Sequence, residues 1–402
     1  MRMLIISGTI PPDSSATADI LRKIIPYIQK SGWQVDCLTV KEKLKDPEIT
    51  LYQSMTIYHA NYLLYLPKEN PSLVEKTIFK WRRIKNINHD GHIPLYKEEM
   101  VTAFLKELKK CHAENYDALV AVCAYYAAAE AVRRFVSKYA YKGKTILYQV
   151  DPLTNNVIYS PSLQDAREAY EKKIHNTWTA VLSTPIIKRY WEEKGKNSEN
   201  LFAVEFPVIQ RPVVKEVFKK KDEEIRCVFA GFLYPELRNP KYVLDLFSKI
   251  DNPNVHLYII GTGMERMLYE YKENQLKTRL HLIGRVSGEE CNSWLASADI
   301  LVNIGNAASN QVPSKIFQYL SFGKPILNIY KQADCPSLPY LTDYPLALNI
   351  LERGQAESVE ARKLESWIND MRNKELPFEW IYNRYYECTP ERVSKVLLDC
   401  LR

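Results

Sequence analysis

Lys315 is a cation placed where a helix is predicted to begin. The segment 299–327 predicts a strand, a loop, a helix over 313–322 and a second strand. Pro313 suits a first helical position because its ring fixes φ and it has no N–H group to leave unpaired. Gly323 suits the left-handed residue that ends a helix. A helix N-terminus carries partial positive charge, so a lysine there favours a bound anion, and phosphate is the usual one.

A second predicted helix also begins beside positive charge. The segment 228–247 predicts strand, loop and helix, with Asn239 as the N-cap and Pro240 as the first helical residue. Arg238 and Lys241 flank this helix start. Either cation taken alone is equally well explained as a solvated surface side chain. Two such helix starts, each following a strand, favour a shared anion at the C-terminal edge of a parallel sheet.

Several short motifs follow one another between residues 224 and 330. They are Gly231-Phe232-Leu233, Arg238, Ile260-Gly261-Thr262-Gly263, Ile283-Gly284-Arg285-Val286, and a run from Pro313 to Pro325 that reads Pro-Ser-Lys-Ile-Phe-Gln-Tyr-Leu-Ser-Phe-Gly-Lys-Pro. In order and spacing they resemble the GT-B glycosyltransferases, and among these the retaining family 4 of the bacterial polysaccharide type. That family has glutamate where this chain has Gln318, and often arginine where it has Phe232.

The resemblance implies an α/β fold of the GT-B type, with two Rossmann-like parallel-sheet domains that face a cleft. It implies an enzyme that moves a sugar from a nucleotide-diphosphate sugar, with a UDP-sugar favoured, to a hydroxyl acceptor with retention. The acceptor would be a glycan or a lipid-linked sugar in cell-surface polysaccharide or glycoconjugate synthesis. No metal or other cofactor is expected, because two cations and helix N-termini can stabilise the departing diphosphate.

The resemblance also implies which residues form the site. Contacts to the donor diphosphate are expected from Arg238, Ser314, Lys315, Gly8 and Ser15, contacts to the nucleoside from Gly261, Gly284, Arg285 and Gln318, and catalytic roles from Asp151 and Asn310. The two glutamates of the family fall on Asn310 and Gln318, which are neutral. A neutral acceptor lowers a hydrogen bond from about 1.5–3 kcal/mol to about 0.5–1.5 kcal/mol, so Gln318 should weaken donor binding without abolishing it.

The candidates in the first domain lie on two loops. Gly8 and Ser15 stand between the first strand and the first helix, where GT-B enzymes have a glycine-rich loop; an N-cap role for Ser14 or Ser15 is the simpler explanation. Many relatives have a histidine near the end of the predicted strand 144–150, and the nearest polar candidates here are Gln149 and Asp151. Asp151 could accept a proton from the acceptor hydroxyl. A turn aspartate before a proline explains Asp151 equally well.

The sequence also bears on functions other than sugar transfer. A nicotinamide enzyme is disfavoured, because the third glycine of its fingerprint would be Arg266 and its ribose-binding acid would be His281. The two glycines at 261 and 263 are then better explained by a tight turn. A GT-B subunit with little or no turnover, which binds a sugar nucleotide or a partner glycosyltransferase, stays open because Asn310, Gln318 and Phe232 lack charge. A sugar-nucleotide epimerase also stays open, but it would need acidic groups at the site.

Length and composition predict the domain organisation. At 402 residues the chain exceeds the size at which single cores stop growing. The expected parts are an acceptor-side domain at 1–210 with an insertion at 51–98, a donor-nucleotide domain at 211–380, and C-terminal helices at 381–402 that return to the first domain. Repeated strand–helix units in both halves predict parallel sheets covered on both faces.

Composition also limits the cellular setting and the partners. Eight cysteines without a CxxC pair favour reduced thiols in a cytoplasmic protein. The net charge of +7 lies mostly in residues 1–210 and suits an anionic acceptor or lipid head groups, while no nucleic-acid-binding module is recognisable. The aromatic and basic segment 51–98 either contacts the inner face of the membrane as a peripheral element or packs on its own domain.

Overall fold

Strands and helices alternate along both halves of the chain, and each half builds its own sheet. The computed structural model describes residues 1–13, 15–67, 70–87, 96–123, 126–154, 163–195, 199–221, 223–306 and 312–402. Residues 1–207 with 387–402 form one compact unit, and residues 208–386 form a second. The predicted α/β class with two parallel-strand sheets is confirmed.

The first unit is built on an eight-stranded sheet. Its strands are β1 Arg2–Ile6, β2 Gln34–Lys41, β3 Ile49–Tyr52, β4 Met55–Leu63, β5 Ala118–Val122, β6 Lys144–Gln149, β7 Ala180–Ser183 and β8 Leu201–Ala203. Its helices are α1 Ala16–Lys30, α2 Leu73–Ile87, α3 Glu98–Lys110, α4 Tyr126–Tyr139, α5 Gln164–His175, α6 Pro185–Glu193 and, from the chain's end, α14 Pro390–Asp399. The strand order is β3-β4-β2-β1-β5-β6-β7-β8, and only the β3–β4 pair is antiparallel. The segment 51–98 is therefore partly integral to the sheet, because β4 pairs with β2.

The second unit is built on a six-stranded sheet. Its strands are β9 Ile225–Ala230, β10 Val255–Ile260, β11 Leu280–Gly284, β12 Ile300–Ile304, β13 Ile326–Tyr330 and β14 Ala347–Leu351. Its helices are α7 Lys241–Ser248, α8 Glu265–Tyr271, α9 Gly288–Ala296, α10 Lys315–Ser321, α11 Leu338–Leu341, α12 Ser358–Met371 and α13 Phe378–Arg384. The strand order is β11-β10-β9-β12-β13-β14, and all pairs are parallel. The central strands β9 and β12 are buried along their whole length, as expected for a parallel sheet with both faces covered.

Both cation-bearing helices begin later than the sequence predicts. Helix α10 starts at Lys315 and not at Pro313, whose carbonyl instead accepts a turn-type hydrogen bond from Ile316 N at 3.1 Å. Helix α7 starts at Lys241, with Pro240 at the N-cap position in place of Asn239. The Asn239 side chain still caps this turn, since its Oδ1 accepts from Lys241 N at 2.9 Å. Lys315 therefore lies at the very start of its helix. Among the described residues, no helix combines the length and apolar character that crossing a membrane would require.

A pair of histidines at the edge of the second sheet should make stability depend on pH. His256 Nδ1 and His281 Nε2 lie 2.9 Å apart, so at least one ring must be neutral. Burial and the neighbouring His256 lower the pKa of His281 from 6.5 to about 4, and burial lowers the pKa of His256. A histidine whose pKa is lower in the folded state stabilises the fold above pH 6.5, and this contribution is lost as the pH falls towards 4.

We expect the urea midpoint of the protein to fall between pH 7 and pH 4.5, and His281→Phe to reduce that fall. Phenylalanine keeps the stacking on Tyr258, whose ring lies 4.1 Å from the imidazole, but removes the titrating group. His112→Gln is the matched control, because His112 is exposed and belongs to the first unit, whereas the histidine pair belongs to the second. An equal reduction in both variants would contradict the assignment.

Candidate functional site

The C-terminal edge of the second sheet is formed by loops that pair with one another through their backbones. Gly231 N donates to Ile260 O at 2.8 Å, Leu233 N to Thr262 O at 3.0 Å, and Gly261 N to Gly284 O at 2.7 Å. The loops after β9, β10 and β11 are thus joined into one rigid edge. In open α/β sheets ligands bind at this edge of the strands.

Gly261 and Gly263 allow this close approach of two backbones. They have φ values of +129° and +107°, which favour glycine. A Cβ atom on Gly261 would lie 1.9 Å from the Gly231 carbonyl oxygen, and one on Gly263 would lie 2.1 Å from the Leu233 carbonyl oxygen. Packing between loops therefore accounts for both glycines. Gly284 has φ +79°, but no atom lies within 4 Å of the Cβ it would carry.

Arg238 places a half-buried cation on this edge. Its Nη2 and Nε donate to Asn306 Oδ1 at 2.7 and 3.2 Å, and its Nη1 donates to Phe232 O at 3.3 Å. Burial lowers the pKa of the guanidinium, although an arginine stays protonated at neutral pH. No carboxylate lies within ion-pair distance of it among the described residues. A partly desolvated cation held only by neutral oxygens is well suited to bind an anion.

Lys315 is likewise held by neutral partners. Its ammonium group donates to Gln318 Oε1 at 2.8 Å, and Gln318 Nε2 donates to Asn292 Oδ1 at 2.9 Å. One turn further along α10, the Tyr319 hydroxyl accepts from Ala230 N at 2.8 Å at the end of β9. This bond fixes the helix that carries Lys315 to the strand that leads towards Arg238.

The two cations therefore belong to the same edge of the second sheet. Burial raises the pKa of the Tyr319 hydroxyl, and the nearby positive charge of Arg238 opposes this increase. Arg238 thus lies close to α10, on which Lys315 is the first residue. The sequence-based expectation that both side chains can reach one anion is compatible with this arrangement.

The first unit has a pocket at the C-terminal edge of its own sheet. The pocket has a volume of about 550 Å³, and its lining includes the predicted residues Gly8 and Ser15. Ser15 acts as the N-cap of α1, because its Oγ accepts from Ala18 N at 3.1 Å; it also donates to Thr9 Oγ1 at 2.7 Å. The capping role that the sequence suggested for this residue is thus present in the structure.

Two carboxyl groups in this pocket were not singled out from the sequence. A hydrogen bond with Asp13 raises the pKa of the Glu42 carboxyl group, with burial adding to the effect. Both residues line the pocket, and Asp13 Oδ2 also accepts from Ile10 N at 3.2 Å. Their positions could have indicated a site, because Asp13 lies in the loop after β1 and Glu42 directly follows β2. Such a pair can accept hydrogen bonds from sugar hydroxyl groups.

Asp151 is the second residue after β6. It is exposed, yet surrounding protein atoms displace water from its carboxyl group and raise the pKa. The loop that carries it is held by the buried Glu171, whose carboxylate accepts from Leu153 N at 3.2 Å and from Thr154 N at 3.0 Å. Glu171 was missed from the sequence because nothing in its helical surroundings marks it as buried. The result is an exposed carboxyl group on an anchored loop.

Comparison with known proteins finds a family model that matches part of the second unit. Residues 210–333 match the family model described as "Glycosyl transferases group 1". This stretch contains Arg238 and Lys315. The match supports sugar transfer as the activity of the chain. No curated protein matches the sequence.

Solved structures show that the whole chain has the GT-B fold. Sucrose-phosphate synthase from Thermosynechococcus elongatus superposes with a TM-score of 0.60 at 13% identity, covering 100% of this chain and 94% of that one. A variant of TarM from S. aureus, in complex with fondaparinux, alpha-GlcNAc-glycerol and UDP, has a TM-score of 0.63 at 11% identity, with 100% and 99% covered. UDP-GlcNAc 2-epimerase from Neisseria meningitidis, bound to UDP-GlcNAc, has a TM-score of 0.56 at 14% identity, with 100% and 99% covered.

The remaining predicted residues lie in different places. Asn310 lies outside the described residues. Ser314 is exposed and forms the N-cap position of α10 without a capping hydrogen bond from its side chain. Arg285 is exposed on the loop after β11. Gln318 accepts from Lys315, so its carbonyl oxygen already has one donor. Asn306 and Tyr319 were not predicted, although both lie at the core of the arrangement around Arg238.

Proposed function

We propose that the protein transfers a sugar from a nucleotide-diphosphate sugar, with a UDP-sugar favoured, to a hydroxyl group of a glycan or lipid-linked acceptor. The transfer proceeds with retention and without a metal ion, and it serves the synthesis of a cell-surface polysaccharide or glycoconjugate. The second unit binds the donor and the first unit binds the acceptor. In this proposal Arg238, Ser314 and Lys315 contact the diphosphate, while Gly284, Arg285 and Gln318 contact the nucleoside.

One observation carries this proposal. The Arg238 guanidinium is half-buried at a strand-end edge, and its partners among the described residues are the neutral oxygens of Asn306 and Phe232. A diphosphate would supply the missing negative charge. Lys315 adds a second cation from the start of α10. Fixed positive charge at this place would stabilise the negative charge that develops on the diphosphate as the glycosidic bond to the donor breaks.

The first unit supplies polar groups for an acceptor. The pocket lined by Gly8 and Ser15 contains the Asp13–Glu42 pair, which suits the recognition of sugar hydroxyls. Asp151 is the proposed base that accepts the proton of the acceptor hydroxyl. Its raised pKa brings it closer to neutral pH, where a general base is most effective. Asn310 keeps the catalytic role implied by the family register.

Calorimetry and a turnover assay test the function together. Calorimetric titration with UDP, GDP and ADP identifies the nucleotide, and incubation with the corresponding sugar donors in the presence of a chelator measures release of the nucleoside diphosphate. Transfer to a hydroxyl acceptor, with the anomeric configuration retained by proton NMR, is the expected result. Binding without turnover would identify a subunit that only binds sugar nucleotides. Interconversion of the donor sugar would identify an epimerase, and one of the structurally similar proteins is a UDP-GlcNAc 2-epimerase.

Asp151→Asn should reduce transfer while leaving UDP affinity unchanged. A positioned general base contributes roughly 100-fold or more to a rate, and asparagine keeps the shape but cannot take the proton. The measurement is kcat for transfer beside the Kd for UDP. Asp165→Asn is the matched control, since Asp165 is an exposed carboxylate on α5 of the same unit. A fall in UDP affinity without a fall in kcat would exclude the role as a base.

We further propose that α2 contacts an anionic membrane surface that carries the acceptor. Leu73, Val74 and Trp81 are 82%, 61% and 57% exposed. At 100° per residue these positions lie within roughly 100° of one another, so they form one apolar face. Lys76 and Lys80 are exposed beside this face. An exposed apolar face with a tryptophan and flanking lysines matches the interface between anionic head groups and acyl chains.

Vesicle pelleting at low salt tests this contact. Wild-type protein should sediment with vesicles that contain phosphatidylglycerol and stay in solution with pure phosphatidylcholine. Lys76→Glu combined with Lys80→Glu should lower the bound fraction roughly tenfold or more, because each basic residue near the surface contributes about 1 kcal/mol. Trp81→Ser should also lower it, whereas Tyr269→Ser, an exposed aromatic residue on α8, should not. Equal binding by all variants, or none by the wild type, would exclude the membrane contact.

A further inference from the structure

A second charged pocket lies at the opposite edge of the second sheet. It has a volume of about 470 Å³ and is bordered by residues 217–220, by 296–299 just before β12, by Lys324 just before β13, and by 373–375 after α12. These segments surround the N-terminal ends of the strands. Arg238 and Lys315 lie at the C-terminal ends of these strands, so the length of the strands separates this pocket from the proposed donor site.

Positive charge exceeds negative charge in this pocket. Its lining contains Lys219, Lys220, Lys324, Lys374, Asp299 and Glu375. The Asp299 carboxylate is already neutralised, because it accepts from Lys220 Nζ and from the backbone N–H of Arg226 at 2.7 Å. Lys219 and Lys374 are exposed and form no ion pair within the described part of the chain. The pocket therefore presents cations that no carboxylate compensates.

Lys324 is the most informative of these cations. Its side chain is only 17% exposed, and its ammonium nitrogen lies 3.9 Å from the carboxylate of Glu375, which is itself 64% exposed. This distance is too long for a hydrogen bond, and a solvated carboxylate screens a neighbouring charge weakly. Burial lowers the pKa of the ammonium group, with Glu375 opposing the shift. An anion inside the pocket would provide a closer partner for this largely desolvated charge.

The walls of the pocket are held in place before any ligand binds. The Arg226 guanidinium donates to the carbonyls of Phe218 and Lys219 at 3.2 and 3.1 Å, and Phe218 N donates to Ser297 Oγ at 2.7 Å. On the other side, Leu376 N donates to Gly323 O at 2.8 Å, and Gly323 has no room for a Cβ atom beneath the Leu376 carbonyl. Ligand pockets are usually preformed in this way, with volumes of roughly 300–1,000 Å³.

We propose that this pocket binds a small phosphomonoester, with the phosphate group on Lys324 and between Lys219 and Lys374. Lysine binds phosphate as a point charge and needs no planar partner. The volume admits a phosphate together with a body of about one sugar ring. A nucleic acid would need a longer basic surface than four lysines in one pocket. The site is separate from the proposed donor site and does not depend on the proposed function.

Titration calorimetry on the full chain tests the site, with inorganic phosphate and glucose 6-phosphate as probes at constant ionic strength. Saturating UDP is present so that the donor site is occupied, and Lys315→Gln independently weakens anion binding at that site. We expect one binding event, which survives both UDP and Lys315→Gln. Tighter binding of glucose 6-phosphate than of phosphate would show that the pocket holds the organic body as well; equal affinity would limit the site to the phosphate group.

Substitutions in the pocket complete the test. Lys324→Gln should weaken binding at least tenfold, and the combination of Lys219→Gln with Lys374→Gln should do the same without affecting the fold, because both side chains are exposed. Lys215→Gln is the matched control, as Lys215 is an exposed lysine of the same segment that pairs with Glu289 outside the pocket. No binding by the wild type, loss only in Lys315→Gln, or equal loss in Lys215→Gln would each overturn the proposal.

Discussion

Arg238→Ala is expected to weaken UDP binding by roughly 10- to 100-fold while leaving uridine binding nearly unchanged. A hydrogen bond between charged groups contributes about 1.5–3 kcal/mol, and about 1.4 kcal/mol corresponds to a factor of ten in affinity. The guanidinium makes its hydrogen bonds to Asn306 and Phe232 and remains free of carboxylates among the described residues. Its charge is therefore available to the diphosphate, which uridine lacks. Calorimetric titration with UDP and uridine measures the difference.

Lys315→Ala and Arg238→Lys provide two further tests of diphosphate binding. Lys315→Ala should also weaken UDP more than uridine, because the one hydrogen-bond partner of its ammonium group within the described ranges is the neutral Gln318. Arg238→Lys keeps the charge but cannot donate two hydrogen bonds to Asn306, so an intermediate affinity is expected. If either alanine variant weakened UDP and uridine equally, the phosphate role of that residue would be wrong.

The neutral residue at 318 gives the site a different charge balance from that of the family pattern. A glutamate at this position would pair with Lys315 and cancel its charge, whereas Gln318 accepts the same hydrogen bond and leaves the charge in place. Phe232 replaces a family arginine, and its ring lies 4.4 Å from that of Tyr234 in the loop after β9. One cation is thus missing from the loop while another is uncompensated on α10. If the donor diphosphate binds here as proposed, the two departures would offset each other in charge.

The fold was predictable from the sequence because buried parallel strands are uninterrupted apolar runs. β9 and β12 show this pattern, and their following helices begin near prolines. β14 was not predicted: its five residues are all half-buried and include Asn349, so neither an apolar run nor a regular alternation marks it. The β3–β4 hairpin was missed for a similar reason, since its edge strand exposes Ile49 and Leu51.

The candidate site was predictable only in part. A charged residue at a helix start is visible in the local sequence, whereas the residues that hold it come from distant parts of the chain. Arg238 and Lys315 follow from neighbouring residues in the sequence. Asn306 becomes recognisable only when the end of β12 lies beside the loop after β9, 68 residues away along the chain. The same holds for Tyr319, whose hydroxyl meets Ala230 across 89 residues. Such pairings depend on strand order, which single-sequence patterns do not specify.

Gly261→Ala should destabilise the protein by roughly 3 kcal/mol or more, since a positive φ costs about 1–2 kcal/mol for a residue with a side chain and overpacking adds about 1–3 kcal/mol. The new methyl group would lie 1.9 Å from the Gly231 carbonyl oxygen, and both partners are backbone, so neither can rotate away. Gly284→Ala is the matched control. It also has a positive φ, but its Cβ would enter open space, so we expect a loss of only about 1–2 kcal/mol.

Urea unfolding of both variants measures the difference in their loss of stability. UDP binding by the folded protein then tests whether Gly261→Ala also disturbs the candidate donor site. Gly231 is the residue pushed by the new methyl group, and the Cβ that it would itself carry lies 3.3 Å from Arg238 Nη1. A shift of Gly231 should therefore displace the guanidinium, so Gly261→Ala should weaken UDP more than uridine even where it remains folded. Equal destabilisation by Gly261→Ala and Gly284→Ala would contradict the close approach of the two loops. Equal loss of UDP and uridine binding would instead assign Gly261 to the nucleoside, as the family resemblance implies.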